Sequence, residues 1–211
     1  LAWFEEVERV CSRFDPNSEL SRLSTQIGVR VAVSDLLFQT VRFAIAVAEE
    51  AEAFDPTLGL ELEARGFNRE YRSGAIVRST LERDDNASYR DVELDVDRKT
   101  IMLARPLLLD LGGVAKGLAV DMAARELERR SFENFAIDAG GDLYLSGRNA
   151  NNEPWSVGIR HPRLEGELYE TLRVSNAAVC TSGDYEQHAP NQNAEHHIID
   201  PRTKSSAVGA A

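Results

Sequence analysis

An apolar run, Leu107-Leu108-Leu109, leads into Asp110, Leu111, the pair Gly112-Gly113 and then a helical pattern that carries Lys116. That order of residue types suits an anionic ligand. Glycines let a ligand approach the backbone, the first amides of a helix have no intrahelical partners, and a lysine in the first turn adds positive charge. The same order excludes two familiar phosphate loops. Lys116 lies between Ala115 and Gly117, so no P-loop is present, and glycines at 112, 113 and 117 miss the G-x-G-x-x-G spacing of dinucleotide sites.

Four further clusters stand out: Ala53-Phe54-Asp55-Pro56-Thr57, Ala139-Gly140-Gly141-Asp142, Thr181-Ser182-Gly183-Asp184-Tyr185 and His196-His197-Ile198-Ile199-Asp200-Pro201. Histidine titrates near neutrality and suits a general base, and strand alternation turns His196 and His197 to opposite faces. Each residue also has a plain structural reading. Asp110 can cap the next helix, Lys116 can be a solvated charge, and Phe14 can be core at the end of an amphipathic helix. Asp142 reads as part of a tight hairpin whose glycines supply positive φ.

The elements that must position these residues follow from periodicity. Trp3, Phe4, Val7, Val10, Cys11 and Phe14 predict a helix over 3–14, broken by Asp15-Pro16-Asn17-Ser18. A short helix or turn over 19–23 follows, then a strand through Val29, Val31 and Val33. Ser34 is placed to cap a long helix over 35–53, which stops before Asp55-Pro56. From Tyr89 the period becomes two, with a turn at Arg98-Lys99 and a return over 101–104, which is a hairpin. After a helix over 114–130, short strands are expected at 135–137, 143–145, 155–159, 168–174, 177–180 and 196–199, while 68–88 reads as loop. Helices first and hairpin-spaced strands later predict an α+β fold, a largely antiparallel sheet with flanking helices, in one domain over 1–211.

The chain has 211 residues, 43% hydrophobic and 28% charged, with a net charge of −11. It has enough apolar content for a globular core, and its charge argues against nucleic acid or an anionic membrane as a partner. An anionic small ligand requires the field to be inverted locally, by Lys116, a helix N-terminus or a divalent cation. Cys11 and Cys180 have no metal-ligand spacing and read as inert thiols. No stretch approaches the roughly 20 apolar residues of a membrane span, and the first residues have no basic leader region, so a soluble chain is expected.

Taken together and in order, these segments resemble the ApbE-type FAD:protein FMN transferases, including Phe14-Asp15-Pro16-Asn17-Ser18-Glu19-Leu20-Ser21-Arg22-Leu23 near the start. The resemblance spans nearly the whole chain and implies an ApbE-like fold. It implies a magnesium-dependent enzyme that takes FAD, transfers FMN to a threonine or serine hydroxyl of an acceptor flavoprotein, and releases AMP. Such chemistry needs a base at the hydroxyl and positive charge on the phosphates. By resemblance His197 is the catalytic base. Phe14, Ala53, Phe54, Asp55, Asp110, Lys116, Ser182, Gly183, Tyr185 and Ile198 contact FAD, and the Gly113 carbonyl binds Mg2+. The implied acceptor is an FMN-bearing subunit of an Rnf- or Nqr-type redox complex.

The family's N-terminal strand with Met-Gly-Thr, and its C-terminal Asp-Ala-x-x-Thr segment with the remaining magnesium ligands, have no counterpart within these residues. Two expectations follow: a trimmed version of a longer protein, or a short relative with an impaired metal site. Two functional alternatives go with them, a flavin-binding or trafficking protein that retains FAD, and an FAD pyrophosphatase that releases FMN and AMP. Relatives are often periplasmic lipoproteins of the inner membrane and some are cytoplasmic; neither a leader nor a lipid-attachment cysteine is expected in this stretch.

Overall fold

The computed structural model describes residues 2–51, 53–71, 73–183 and 196–207, with the backbone alone at Ala51. Helix α1 (Ala2–Cys11) buries Val7, Val10 and Cys11, the stripe its spacing predicts. It stops three residues earlier than expected. The Ser12 carbonyl accepts from Ser18 Oγ at 2.6 Å and the Phe14 amide donates to Ser12 Oγ at 3.2 Å, so the chain bends and projects residues 13 and 14 away from the helix. Helix α2 (Glu19–Ser24) is then capped by Ser18, whose Oγ accepts from the Ser21 amide at 2.9 Å.

Strand β1 (Val31–Ala32) is shorter than the valine alternation implies. Gly28, at φ 73, turns the chain and donates to the Leu103 carbonyl, which leaves little room to pair earlier. Helix α3 (Asp35–Ala51) is capped by Ser34, as expected, and buries Leu37, Phe38, Val41, Ala44, Ile45 and Ala48 along one face. A short helix the sequence did not announce, α4 (Gly59–Ala64), follows the Asp55-Pro56-Thr57 turn. The loop region ends in a 3-10 turn over Tyr89–Asp91 instead of a strand, because Ser88 and Asp91 close a capping box around it. Strands β2 (Val92–Asp95) and β3 (Thr100–Leu103) make the expected hairpin, with Lys99 at φ 49 in its turn.

Helix α5 (Gly112–Arg129) begins two residues earlier than predicted. It leads to β4 (Phe135–Asp138), β5 (Asp142–Ser146), β6 (Trp155–Arg160), β7 (Leu168–Val174) and β8 (Ala177–Cys180). The expected strand over 196–199 is replaced by β9 (Ile199–Asp200), which pairs with an unforeseen β10 (Ser205–Ser206). Lys204 at φ 51 lets the chain turn back there, and the His196 amide donates to the Ser206 hydroxyl at 3.0 Å.

All pairings between named strands are antiparallel, in the orders β1-β3-β2, β4-β5-β8, β6-β7 and β9-β10. Helix α1 packs on α2, α3 and α5, while α5 also lies on β4 and β5. The core gathers the buried faces of these helices around Ile101, Leu103, Leu107, Leu109 and Leu111. The result is the α+β arrangement with flanking helices. Among the described residues no helix is long and apolar enough to cross a membrane.

Candidate active site

The apolar run before α5 is buried, and it fixes where Asp110 emerges. Leu108 bridges Leu58 in parallel, and the Asp110 amide donates to the Pro56 carbonyl at 2.7 Å. Both carboxylate oxygens of Asp110 are engaged. Oδ1 accepts from the Gly112 amide at 2.8 Å and Oδ2 accepts from Arg13 Nε at 2.6 Å. Asp110 therefore does cap the start of α5, from one residue before Leu111, which has no side-chain cap of its own.

This changes the expected picture of the helix start. The Gly112 amide is taken by Asp110, and the Val114 amide reaches the Leu111 carbonyl at 3.0 Å, so fewer amides point outward than the sequence implies. What the glycines do provide is close approach: a Cβ on Gly113 would lie 2.9 Å from Cε2 of Phe54. The Phe54 ring thus rests directly on the first turn of α5.

Lys116, on that first turn, is 53% exposed, and its Nζ lies 2.8 Å from Oδ2 of Asp142, which is 15% exposed. The positive charge of the site is paired, not free. Asp142 opens β5 opposite Cys180 of β8, next to the Thr181-Ser182-Gly183 turn. The Cys180 thiol is raised above its ordinary pKa, first by desolvation, then by the charge and hydrogen bond of Asp142, with Lys116 opposing.

Phe14 is half-buried, and the Arg13 guanidinium carbon lies 4.1 Å from its ring centroid. Arg13 also donates from Nη2 to the Phe67 carbonyl at 2.6 Å, and the Phe67 ring meets the His197 ring edge-on at 6.3 Å. Phe14, Asp110, Phe54, Gly113 and His197 are thereby connected through direct contacts of Arg13, Phe67 and the α5 start. The two histidines differ in surroundings. His196 is buried, its Nε2 3.0 Å from the Ala207 carbonyl, whereas His197 is half-buried against Phe67.

The other expected residues lie around this cluster. Ala53 is exposed, and Asp55 acts as a turn former, its Oδ1 accepting from the Thr57 amide at 2.8 Å and the Thr57 hydroxyl at 2.6 Å. The Ile198 carbonyl accepts from the Ala207 amide, Ser182 is exposed and Gly183 buried. Tyr185 falls outside the described residues. Sequence reasoning missed Arg13 and Phe67, because their partners are 97 and 54 positions from Arg13 and no spacing announces such contacts.

Magnesium fits the described residues poorly. No three His, Cys, Asp or Glu side chains among them gather as a metal site, and both oxygens of Asp110 are committed. The Gly113 carbonyl alone does not satisfy an octahedral oxygen site.

The sequence profile of the ApbE family matches residues 1–211. Among curated relatives, an FAD:protein FMN transferase of Haemophilus influenzae is 28% identical over 96% of this chain and 62% of its own length. One of Vibrio cholerae is 31% identical over 94% and 61%. The chain therefore spans about three fifths of the length of these relatives. Among solved structures, the ApbE protein of Thermotoga maritima superposes with a TM-score of 0.82 at 30% identity, over 98% of this chain and 69% of that one. The flavin transferase ApbE of Vibrio cholerae gives 0.79 at 29% identity, over 97% and 66%. With the profile matched from end to end and the solved ApbE structures sharing its fold, this chain belongs to the ApbE family.

Proposed function

We propose that this chain carries the flavin-transfer site of an FAD:protein FMN transferase. The observation that supports it most is the joining of Asp110, the glycine pair of α5, Phe54, Phe14 and His197 around one buried arginine, in a chain whose relatives bear that name. In this reading the oxygen of an acceptor threonine or serine attacks the phosphorus of the FMN half of FAD. The bond to the AMP phosphate breaks, AMP leaves with the electron pair, and His197 takes the hydroxyl proton. Lys116 exchanges Asp142 for the pyrophosphate, Phe14 and Phe54 flank the flavin, and Ser182 reaches phosphate oxygens, while Tyr185 is assigned to FAD by the resemblance alone. Ala53, Asp55, Gly183 and Ile198 shape the walls of the site.

The magnesium requirement and an Rnf- or Nqr-type acceptor belong to this reading through the resemblance. Among described residues Gly113 offers the metal one carbonyl, so the other ligands have to come from elsewhere. Intact-mass spectrometry tests the whole reading: an FMN-domain peptide containing threonine is incubated with FAD, Mg2+ and the protein with its native termini. A gain of one FMN with release of AMP is expected. FAD retained without an adduct would favour a flavin-binding protein, and AMP with free FMN would favour hydrolysis. His197→Ala is expected to abolish the adduct and leave FAD binding largely intact, whereas Asp110→Ala or Lys116→Ala weakens FAD binding. Full transfer by His197→Ala would remove the base assignment.

A further inference from the structure

We propose that Arg13 is the positioning residue of this site, orienting Asp110 directly and His197 through Phe67; the inference rests on the reading above. Its side chain is 5% exposed and its guanidinium makes three kinds of contact at once. Nε donates to Asp110 Oδ2 at 2.6 Å, Nη2 donates to the Phe67 carbonyl at 2.6 Å, and the planar group lies over the Phe14 ring at 4.1 Å. These partners come from three separate segments: the exit of α1, the turn after α4 and the start of α5.

Each contact removes a freedom the site needs removed. With Oδ2 on Arg13 and Oδ1 on the Gly112 amide, the Asp110 carboxylate has one orientation. Holding the Phe67 carbonyl fixes the backbone position from which its ring reaches the edge-on contact with His197. The guanidinium carbon, 4.1 Å from the Phe14 ring centroid, packs against that ring and restrains it. A lysine reproduces none of this in full, because its single ammonium has neither the fork nor the plane. The bend at Ser12 and Ser18 delivers Arg13 to this point, since a continuous helix over 3–14 would direct it along the helix surface.

The test compares the parent protein, Arg13→Lys, Phe67→Leu, Asp110→Asn and the double variant Arg13→Lys/Asp110→Asn. It measures FAD affinity by flavin fluorescence and the His197 titration by NMR of the ligand-free protein. Arg13→Lys is expected to weaken FAD binding about tenfold and to move the His197 titration midpoint. The double variant is expected to lose less FAD affinity than the two single losses combined, because Arg13 acts in part through that carboxylate. Phe67→Leu, which keeps the backbone bond to Arg13, is expected to move the His197 midpoint and leave FAD affinity within about twofold.

An Arg13→Lys protein with parental FAD affinity and parental His197 titration overturns the proposal, since a residue that only stabilises the fold would change melting temperature alone. Should Arg13→Lys not fold, Phe67→Leu decides: an unmoved His197 midpoint there overturns it. Absence of FAD binding by the parent would sink the transferase reading, yet the ligand-free His197 titrations would still support or overturn the positioning role.

Discussion

At the scale of single residues, charge pairing decides what the site offers a ligand. Lys116 sits 2.8 Å from Asp142, so a pyrophosphate has to compete with a carboxylate for it. Cys180 reports on that pair. Asp142 raises its thiol pKa and Lys116 lowers it, after the larger effect of desolvation. Asp142→Asn is therefore expected to speed alkylation of Cys180 by iodoacetamide at pH 8 by about threefold, and Lys116→Ala to slow it. Equal rates in all three proteins would show that the thiol does not sense the pair. Asp110, Lys116 and His197 were legible in the sequence because their types and neighbours advertise chemistry. Arg13 was not, since an arginine two residues past a helix looks like any solvated charge until the partner 97 positions away is known.

At the scale of elements, close approach and capping determine where the site lies. The Cβ of an alanine at 59 would stand 2.5 Å from the Leu108 carbonyl oxygen, in the contact that joins α4 to the apolar run before α5. Gly59→Ala is expected to destabilise the protein by about 1–3 kcal/mol, read as a lower urea midpoint with an unchanged slope. Burial raises the Cys11 thiol from 9.0 to about 11. Below pH 9 both folded and unfolded chains hold the proton and the contribution is constant. Between pH 9 and about 11 the unfolded chain ionises first, so stability falls as pH rises, by at most about 1.4 kcal/mol per pH unit. Cys11→Ala is expected to flatten that part of the stability profile, which chemical denaturation at successive pH values would show. An identical slope in the variant would place the effect elsewhere.

At the scale of the whole molecule, a net charge of −11 repels an anionic dinucleotide at long range, and the one lysine at the start of α5 is already paired. Added salt screens that repulsion. Stopped-flow association of FAD is therefore expected to accelerate by about two- to threefold between roughly 20 and 200 mM NaCl. A slower association in salt would mean that a local positive field outweighs the global charge. The same global view explains one element that the sequence missed. Helix α4 is held by a partner distant in sequence, Leu108, whereas β10 pairs locally with Asp200 and Ile199 across the Lys204 turn and was missed because Ser205-Ser206 shows no apolar alternation.

The sequence by itself determined the amphipathic helices α1, α3 and α5, the β2–β3 hairpin and the ordered set of short segments that marks the family. Those features depend on periods of two or 3.6 and on neighbours within a few positions. Only the tertiary structure decided that Asp110 is bound at both oxygens, that Lys116 meets Asp142, that Phe54 rests on Gly113, and that Arg13 reaches from the end of α1 to Asp110 and Phe67. Such contacts join residues far apart in the chain. They are set by how the helices and sheets pack, which a local pattern of residue types does not encode.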